Sequence, residues 1–341
     1  MPSTPTIAAT LPATHSVPAP LEAGDVAPLL PRPAADADKY TRGVLAVVGG
    51  SSAYPGAPVL AALAAARSGA GYVRLIAPSG VAEVARTHLL SVPVMGCTQT
   101  ACGAFDPECA GDVVCAASRA DAFVVGPGLG TSSFVAEFLG KFFSALADAA
   151  SSGDAHDLSG SAPVSADGAP ACTPPLLLDA DALNAIAANP DLAALHASLS
   201  SARTANPDVI TPHAGEAARL LGRPLASEAA ARTADAFELA EAHACVVVLK
   251  GPDTIVASPD GRARIICEGG PELAKAGTGD VLSGIIGAFA AQGLATFEAA
   301  CAGVFVHARA ARIASGRMGV GAVMPEDIIA TIGKAVLSVE E

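Results

Sequence analysis

The chain has 341 residues, 51% hydrophobic and only 4% aromatic, no Trp, and a formal net charge of −13. That charge excludes nonspecific nucleic-acid binding, because no surplus of Lys and Arg exists to displace phosphate counterions. No stretch reaches the ~18 apolar residues of a membrane span, no signal peptide opens the chain, and the eight cysteines show no metal-ligand spacing, so a cytoplasmic protein with reduced thiols and no membrane partner is expected.

Residues 1–38 are rich in Pro, Ala, Thr and Asp and lack periodicity, which predicts a mostly disordered extension with at most a short helix within 20–30. The folded domain is expected over 39–338. VLAVVGGS (44–51) is a β-branched run with a glycine exit, the pattern of a buried parallel strand. An Ala-rich helix follows at 59–71, stopped by Gly69 and Gly71, and YVRLIAP (72–78) completes a βαβ unit. Residues 79–89 read as helix, and 90–118 are ambiguous. AFVVGPGLG (122–130) repeats the strand-to-glycine pattern before a helix at 132–149. Residues 150–174, low in apolar content and rich in Ser, Gly, Asp and Pro, read as a flexible surface insertion, because the alternation resumes unchanged behind them. LLLDADALNAIA and VITPHAGEAARLLG are two further strand-to-helix passages. The segment 245–267 reads as a strand and then a hairpin turned at Pro259–Gly261. AGTGDVLSGIIGAFAAQG (276–293) leads into the last predicted helix, Phe297–Ser315. This alternation predicts an α/β, three-layer α/β/α domain with a mostly parallel central sheet. Ligands then bind at the C-terminal strand ends, where the glycine-rich turns fall.

The most informative stretch is 276–293. Gly277, Thr278 and Gly279 can turn consecutive N–H groups outward at a helix start, a geometry that binds an anion such as a phosphoryl group. Asp280 sits in the first turn, within reach of a proton donor on a second ligand. A plain N-cap by Thr278 or Asp280 is the competing account. GPGLG (126–130) permits close backbone approach to a ligand but is no Walker A loop, and no GxGxxG follows Gly49–Gly50. Asp179 and Asp181 could hold Mg²⁺ through water or bond a hydroxyl, or could serve as N-cap and dipole partner of a helix. His213 reads equally as a structural residue or a ligand contact, and Glu216 as completing a cap. Lys250, ending an apolar strand, must reach a phosphate or carboxylate, since an unpaired charge there is costly. Gly251 and Thr254 begin the turn after it. Lys275 reads as solvated, and His307 as packing or surface.

In order, GGSSAYPGAPVLAALAAARSGAGYVRL, GPGLG, LLLDADALNAI, ITPHAGEAARLLG, VVLKGPDTIV and LAKAGTGDVLSGIIGAFAAQG resemble the ADP-dependent NAD(P)H-hydrate dehydratases, which have a ribokinase-like fold. The resemblance spans about 39–335. It implies dehydration of the (6S)-hydrate of NADH or NADPH, with ADP as co-substrate and AMP and phosphate as products. Asp280 matches the family's catalytic position, with Gly277, Thr278 and Gly279 as the anion turn. Lys250, Gly251, Pro252, Asp253, Thr254 and Gly279 match nucleotide contacts, and Ala57, Gly130, His213 and Asp280 match contacts to the hydrate. Mg²⁺ is expected with the nucleotide, and no protein ligand to a metal is assigned. Oligomeric state is not readable from the residues; the resemblance points to a homo-oligomer, a homotetramer among the options. Some 40 residues precede the match, so the epimerase domain fused to many family members is expected to be absent. One departure stands out: Glu268-Gly269-Gly270-Pro271 replaces an Asn-Pro-Thr-Gly-like segment. Two other readings of the same motifs are an ATP-dependent kinase of a small hydroxylated metabolite or vitamin precursor, and a non-catalytic nucleotide-binding protein.

Overall fold

The computed structural model describes residues 17–152, 173–203 and 205–340. Most of the expected insertion, and the first 16 residues of the expected extension, lie outside them. Nine strands form one sheet: β1 (Val44–Val48), β2 (Tyr72–Pro78), β3 (Val94–Cys97), β4 (Ala122–Val125), β5 (Leu176–Leu178), β6 (Val209–Ile210), β7 (Val246–Leu249), β8 (Thr254–Ala257) and β9 (Ala263–Ile266). Their order is β3-β2-β1-β4-β5-β6-β7-β8-β9. The pairings are parallel through β7; β8 runs antiparallel to both β7 and β9.

The sheet is covered on both faces, which is why its strands read as unbroken apolar runs. Alternate residues of β1 divide between two cores. Leu45 and Val47 face helices 56–67, 278–291, 296–318 and 325–340. Ala46 and Val48 face helices 110–116, 133–152, 181–188 and 229–243. From β1 the chain first winds outward to β2 and β3, then returns to place β4 on the other side of β1. The strand order therefore reverses between β1 and β4, the switch point where doubly wound sheets open a crevice. The glycine turns after β1 and β4 flank that crevice.

Three sequence expectations change here. The ambiguous 90–118 segment contains β3 and the helix Ala110–Ala116, both too short to carry a clear period. A further helix, Pro325–Glu340, follows the predicted last one, which itself runs Thr296–Met318. The domain also starts earlier than residue 39. A short helix forms at Ala23–Val26, Pro20 bridges to Ile265 beside β9, and Leu21, Val26, Leu29 and Leu30 are buried in the first core. Four apolar side chains dock this Pro- and Ala-rich segment into the first core.

Helix 278–291 is the buried hinge of the architecture, apolar on nearly all sides. It seats directly on helix 56–67: a Cβ at Gly284 would lie 2.2 Å from the Ala61 carbonyl oxygen. A Gly284→Val variant is expected to lose at least about 1–3 kcal/mol by overpacking, read from chemical denaturation. An unchanged midpoint would show that the two helices can separate freely.

Candidate active site

Three strand ends deliver the polar groups. Asp179 follows β5 and donates its N–H to the Val125 carbonyl at 3.1 Å. Thr211 follows β6, and Lys250 follows β7 with its N–H on the Pro212 carbonyl at 2.9 Å. The Asp179 side chain, 1% exposed, points inward. Its Oδ1 accepts from Thr211 Oγ1 at 2.7 Å and from Lys250 Nζ at 2.9 Å, and its Oδ2 lies 2.6 Å from Ser283 Oγ. Burial favours the neutral acid, but the Lys250 charge and the two hydroxyls outweigh it and hold Asp179 below the ordinary carboxylate range. Lys250 is likewise held charged: burial opposes the ammonium, and Asp179 and Glu216 more than compensate. Asp179 thus neither caps a helix nor keeps an oxygen for a metal. Ala180, next in the chain, adopts φ 52° and ψ −116°, a strained backbone for a residue with a Cβ.

Asp181 opens helix 181–188 and accepts the Gly130 N–H at 2.7 Å, with Asn184 Nδ2 at 3.3 Å from its other oxygen. It therefore pins the GPGLG turn after β4. That turn packs on the loop after β1: Ser51 Oγ donates to the Gly128 carbonyl at 2.8 Å, and a Cβ at Gly128 would lie 3.1 Å from Ala57 Cβ. Ala57 thus packs against the turn that Gly130 ends.

Gly277 caps helix 278–291 at φ +91°, a left-handed conformation that costs glycine little. Neither Thr278 nor Asp280 is the N-cap. Thr278 Oγ1 lies 2.8 Å from both the Leu273 and Lys275 carbonyls, and its N–H reaches Lys275 O at 3.3 Å. The Thr278 amide is therefore engaged, which corrects the expectation that it joins the outward-facing set; Gly279 and Asp280 supply first-turn N–H groups with no carbonyl one helical turn back. Lys250 lies beneath this turn, its Nζ 3.5 Å from where a Gly279 Cβ would stand. His307 is buried and hydrogen-bonds the Thr278 backbone. Burial pushes it down to about 4, so it is a neutral packing residue.

Asp280 is raised to about 7, first by burial, then by the nearby charge of Asp179, with Lys250 opposing. Glu216 is also raised to about 7, again chiefly by burial, with Lys250 opposing and Asp179 adding. Glu216 and His213 cap helix 214–221 reciprocally: Glu216 Oε2 accepts the His213 N–H at 2.8 Å, and His213 Nδ1 accepts the Gly215 and Glu216 N–H groups at 2.9 and 3.3 Å. An accepting Nδ1 places the ring proton on Nε2. Burial, Lys250 and Arg219 lower the His213 pKa, so the half-exposed ring is a neutral donor. It is the structural cap, and its Nε2 lies 3.4 Å from Glu216 Oε1.

Gly251, Pro252 and Asp253 are exposed on the turn after β7. Arg232, which sequence reasoning did not single out, lies against this turn and donates from Nη1 to the Asp253 carbonyl at 3.2 Å. Thr211 and Ser283 were also missed; Thr211 ends its strand as Asp179 does, and Ser283 lies one turn beyond Gly279, which were the available signals. Lys275 is not merely solvated, since its Nζ donates to the Gly321 carbonyl at 3.2 Å. Glu268, in the divergent segment, pairs with Arg309 at 2.7 Å. Among the described residues, no group of three or more His, Cys, Asp or Glu side chains is placed to hold a metal ion, and no helix is long and apolar enough to cross a membrane.

The family model described as NAD(P)H-hydrate dehydratase matches residues 45–155 and 167–334. The ADP-dependent (S)-NAD(P)H-hydrate dehydratase of Neisseria meningitidis is 36% identical over 85% of this chain and 83% of its own length. The bifunctional NAD(P)H-hydrate repair enzyme Nnr of Mycobacterium leprae is 37% identical over 89% of this chain. The chain spans about half the length of the bifunctional relatives it matches. A solved structure of the ADP/ATP-dependent NAD(P)H-hydrate dehydratase of Bacillus subtilis, co-crystallised with ATP/Mg²⁺, superposes with a TM-score of 0.70 at 23% identity, covering 95% of this chain and 99% of that one. The architecture is the ribokinase-like one expected.

An acid held at about 7 in the fold against an ordinary value of 3.8 has a definite effect on stability. The folded state keeps a proton that the unfolded chain has already lost, so this contribution is complete below pH 4 and vanishes as pH rises through 7. At pH 8 the ionised Asp280 costs on the order of 2–4 kcal/mol. Asp280→Asn should therefore melt above the wild type at pH 8 and level with it near pH 4. Parallel melting curves across that range would refute the burial of this charge.

Proposed function

Because this chain belongs to the NAD(P)H-hydrate dehydratase family, we propose that it converts the (6S)-hydrate of NADH or NADPH back to NAD(P)H, consuming ADP and releasing AMP and phosphate. The observation that carries the reading is Asp280: a carboxyl raised to about 7, in the first turn of a helix start and above a buried ammonium. A base titrating near neutrality is matched to abstracting a hydroxyl proton.

A ring hydroxyl leaves poorly as hydroxide. Its oxygen attacks the terminal phosphorus of ADP as Asp280 accepts its proton; a new O–P bond forms and the bond to AMP breaks. The phosphate so attached is a good leaving group, and the ring nitrogen lone pair expels it; loss of the adjacent proton restores the dihydropyridine. The Gly279 and Asp280 amides bind the phosphoryl oxygens as charge develops, with Lys250 below them. The exposed turn 251–254 takes the rest of the nucleotide. Ala57 and Gly130 bound the hydrate pocket, and His213 offers its Nε2–H to it.

The donor set does not suit a protein-caged Mg²⁺, because both Asp179 oxygens are engaged by Lys250, Thr211 and Ser283. It suits an ion that arrives on the nucleotide phosphates and keeps most of its water, and no step here passes through it. The same family reading carries a cytoplasmic homo-oligomer, checked by light scattering.

Mixed with NADHX and Mg²⁺, the protein should restore absorbance at the reduced-nicotinamide wavelength with ADP, release phosphate stoichiometrically, and do neither without nucleotide. Asp280→Asn should lower turnover by at least about 10²-fold with ADP affinity little changed, and the wild-type rate should fall as pH drops through about 7. Wild-type turnover in Asp280→Asn, or a stable phosphorylated product in place of free phosphate, would defeat the mechanism; the latter would indicate a kinase.

A further inference from the structure

Asp179 lies behind the anion turn, its Oδ2 4.0 Å from where a Gly279 Cβ would stand, and its carboxylate meets Thr211, Lys250 and Ser283. Burying an ion pair seldom stabilises a fold relative to apolar packing. Here a buried carboxylate meets a largely buried ammonium next to a strained residue, Ala180 at φ 52°, and the contacts draw on three separate elements. Such an arrangement needs a reason other than stability.

We propose that Asp179 is a positioning residue, a three-point clamp that, with Thr211 and Ser283, holds the Lys250 ammonium beneath Gly279 and away from Glu216. This rests on the function proposed above. Thr211 Oγ1 and Lys250 Nζ meet Oδ1 at 2.7 and 2.9 Å, and Ser283 Oγ meets Oδ2 at 2.6 Å. Ser283 Oγ also lies 3.0 Å from the Gly279 carbonyl, so the clamp is fastened to the anion turn itself. Thr211 fastens it to β6, and the Asp179 N–H fastens it to β4 through Val125. The geometry offers Lys250 a second partner: Glu216 Oε2 lies 3.9 Å from Nζ. With Asp179 neutral, the ammonium is drawn toward Glu216, and a phosphoryl group bound at the turn loses the cation below it.

The clamp also governs Asp280 electrostatically. The charged groups facing Asp280 are Asp179 and Asp181 from the end of β5, Lys250 from the end of β7, and Glu216 from helix 214–221. Asp179 contributes the largest of the charge effects and acts to keep the proton on Asp280. Removing its charge lets Asp280 ionise at lower pH.

The test compares Asp179→Asn, Thr211→Val and the conservative Thr211→Ser in the full chain. ADP affinity is measured by calorimetry, the acid limb of kcat/KM by NADHX turnover, and the Asp280 carboxyl titration by ¹³C NMR. Asp179→Asn should weaken ADP binding by at least roughly tenfold, the loss of one buried charge-assisted contact, and lower both the NMR midpoint and the kinetic limb by about one pH unit. Thr211→Val should move the same quantities in the same direction by less, and Thr211→Ser should restore them. If Asp179→Asn does not fold, the Val and Ser pair decides. Lowered melting temperatures with wild-type ADP affinity and an unmoved Asp280 titration would make the cluster purely structural and overturn the proposal. Should the wild type bind ADP yet leave NADHX unchanged, the dehydratase reading falls, while ADP affinity and the NMR titration still judge the clamp.

Discussion

One ammonium set among four carboxyl groups is the constraint on which this site depends. Asp179, Asp181, Glu216 and Asp280 crowd the ends of β5 and β7 and two helix starts, and Lys250 is the cation they share. Asp179 takes Lys250 by direct contact, and Asp181 accepts the Gly130 N–H. Asp280 and Glu216 are both raised to about 7, first by burial and then by the charge of Asp179, with Lys250 only partly opposing. A base of useful strength thus arises from where the carboxyl is placed rather than from a special residue.

The scaffold fixes that placement. Helix 278–291 is buried on nearly every side beyond its first turn, so Asp280 stands at the partly exposed start of an otherwise buried element. Gly284 brings it against helix 56–67, and the strand-order reversal between β1 and β4 leaves the crevice beside its N-terminus. The stability lost by holding Asp280 ionised above pH 7 is carried by two apolar cores packed on the sheet.

A second buried ion pair shows how location decides meaning. Arg203 and Asp208 meet through two hydrogen bonds of 2.8 and 2.9 Å, and Asp208 also accepts the Leu176 N–H. This pair lies at the N-terminal ends of β5 and β6, away from the crevice, where it joins the start of one strand to the start of the next. Lys250 and Asp179 form comparable chemistry at the C-terminal ends, beside an anion turn, where the same kind of contact sets the charge available to a ligand.

Much of this was legible from local pattern. The α/β alternation, the glycine turns, the helix start at Gly277 and the need of Lys250 for a partner all follow from side-chain period and the cost of isolated charge, which are properties of short segments. The capping roles of His213 and Glu216 were legible too, as one of two readings. The missed features are non-local. The short segment Val94–Cys97 becomes a strand only because β2 pairs with it. Leu21, Val26, Leu29 and Leu30 fall where a short helix within a mostly disordered extension was all that local pattern suggested; their burial came from the core that the sheet provides. Whether Asp179 caps a helix, binds a metal or grips a lysine depends on Thr211, Lys250 and Ser283, which lie 32, 71 and 104 residues away along the chain. Sequence by itself determined which residues could carry charge at the strand ends. Only the tertiary structure decided which of them keep it, because a carboxyl's proton affinity is set by burial and by the charges that folding brings beside it.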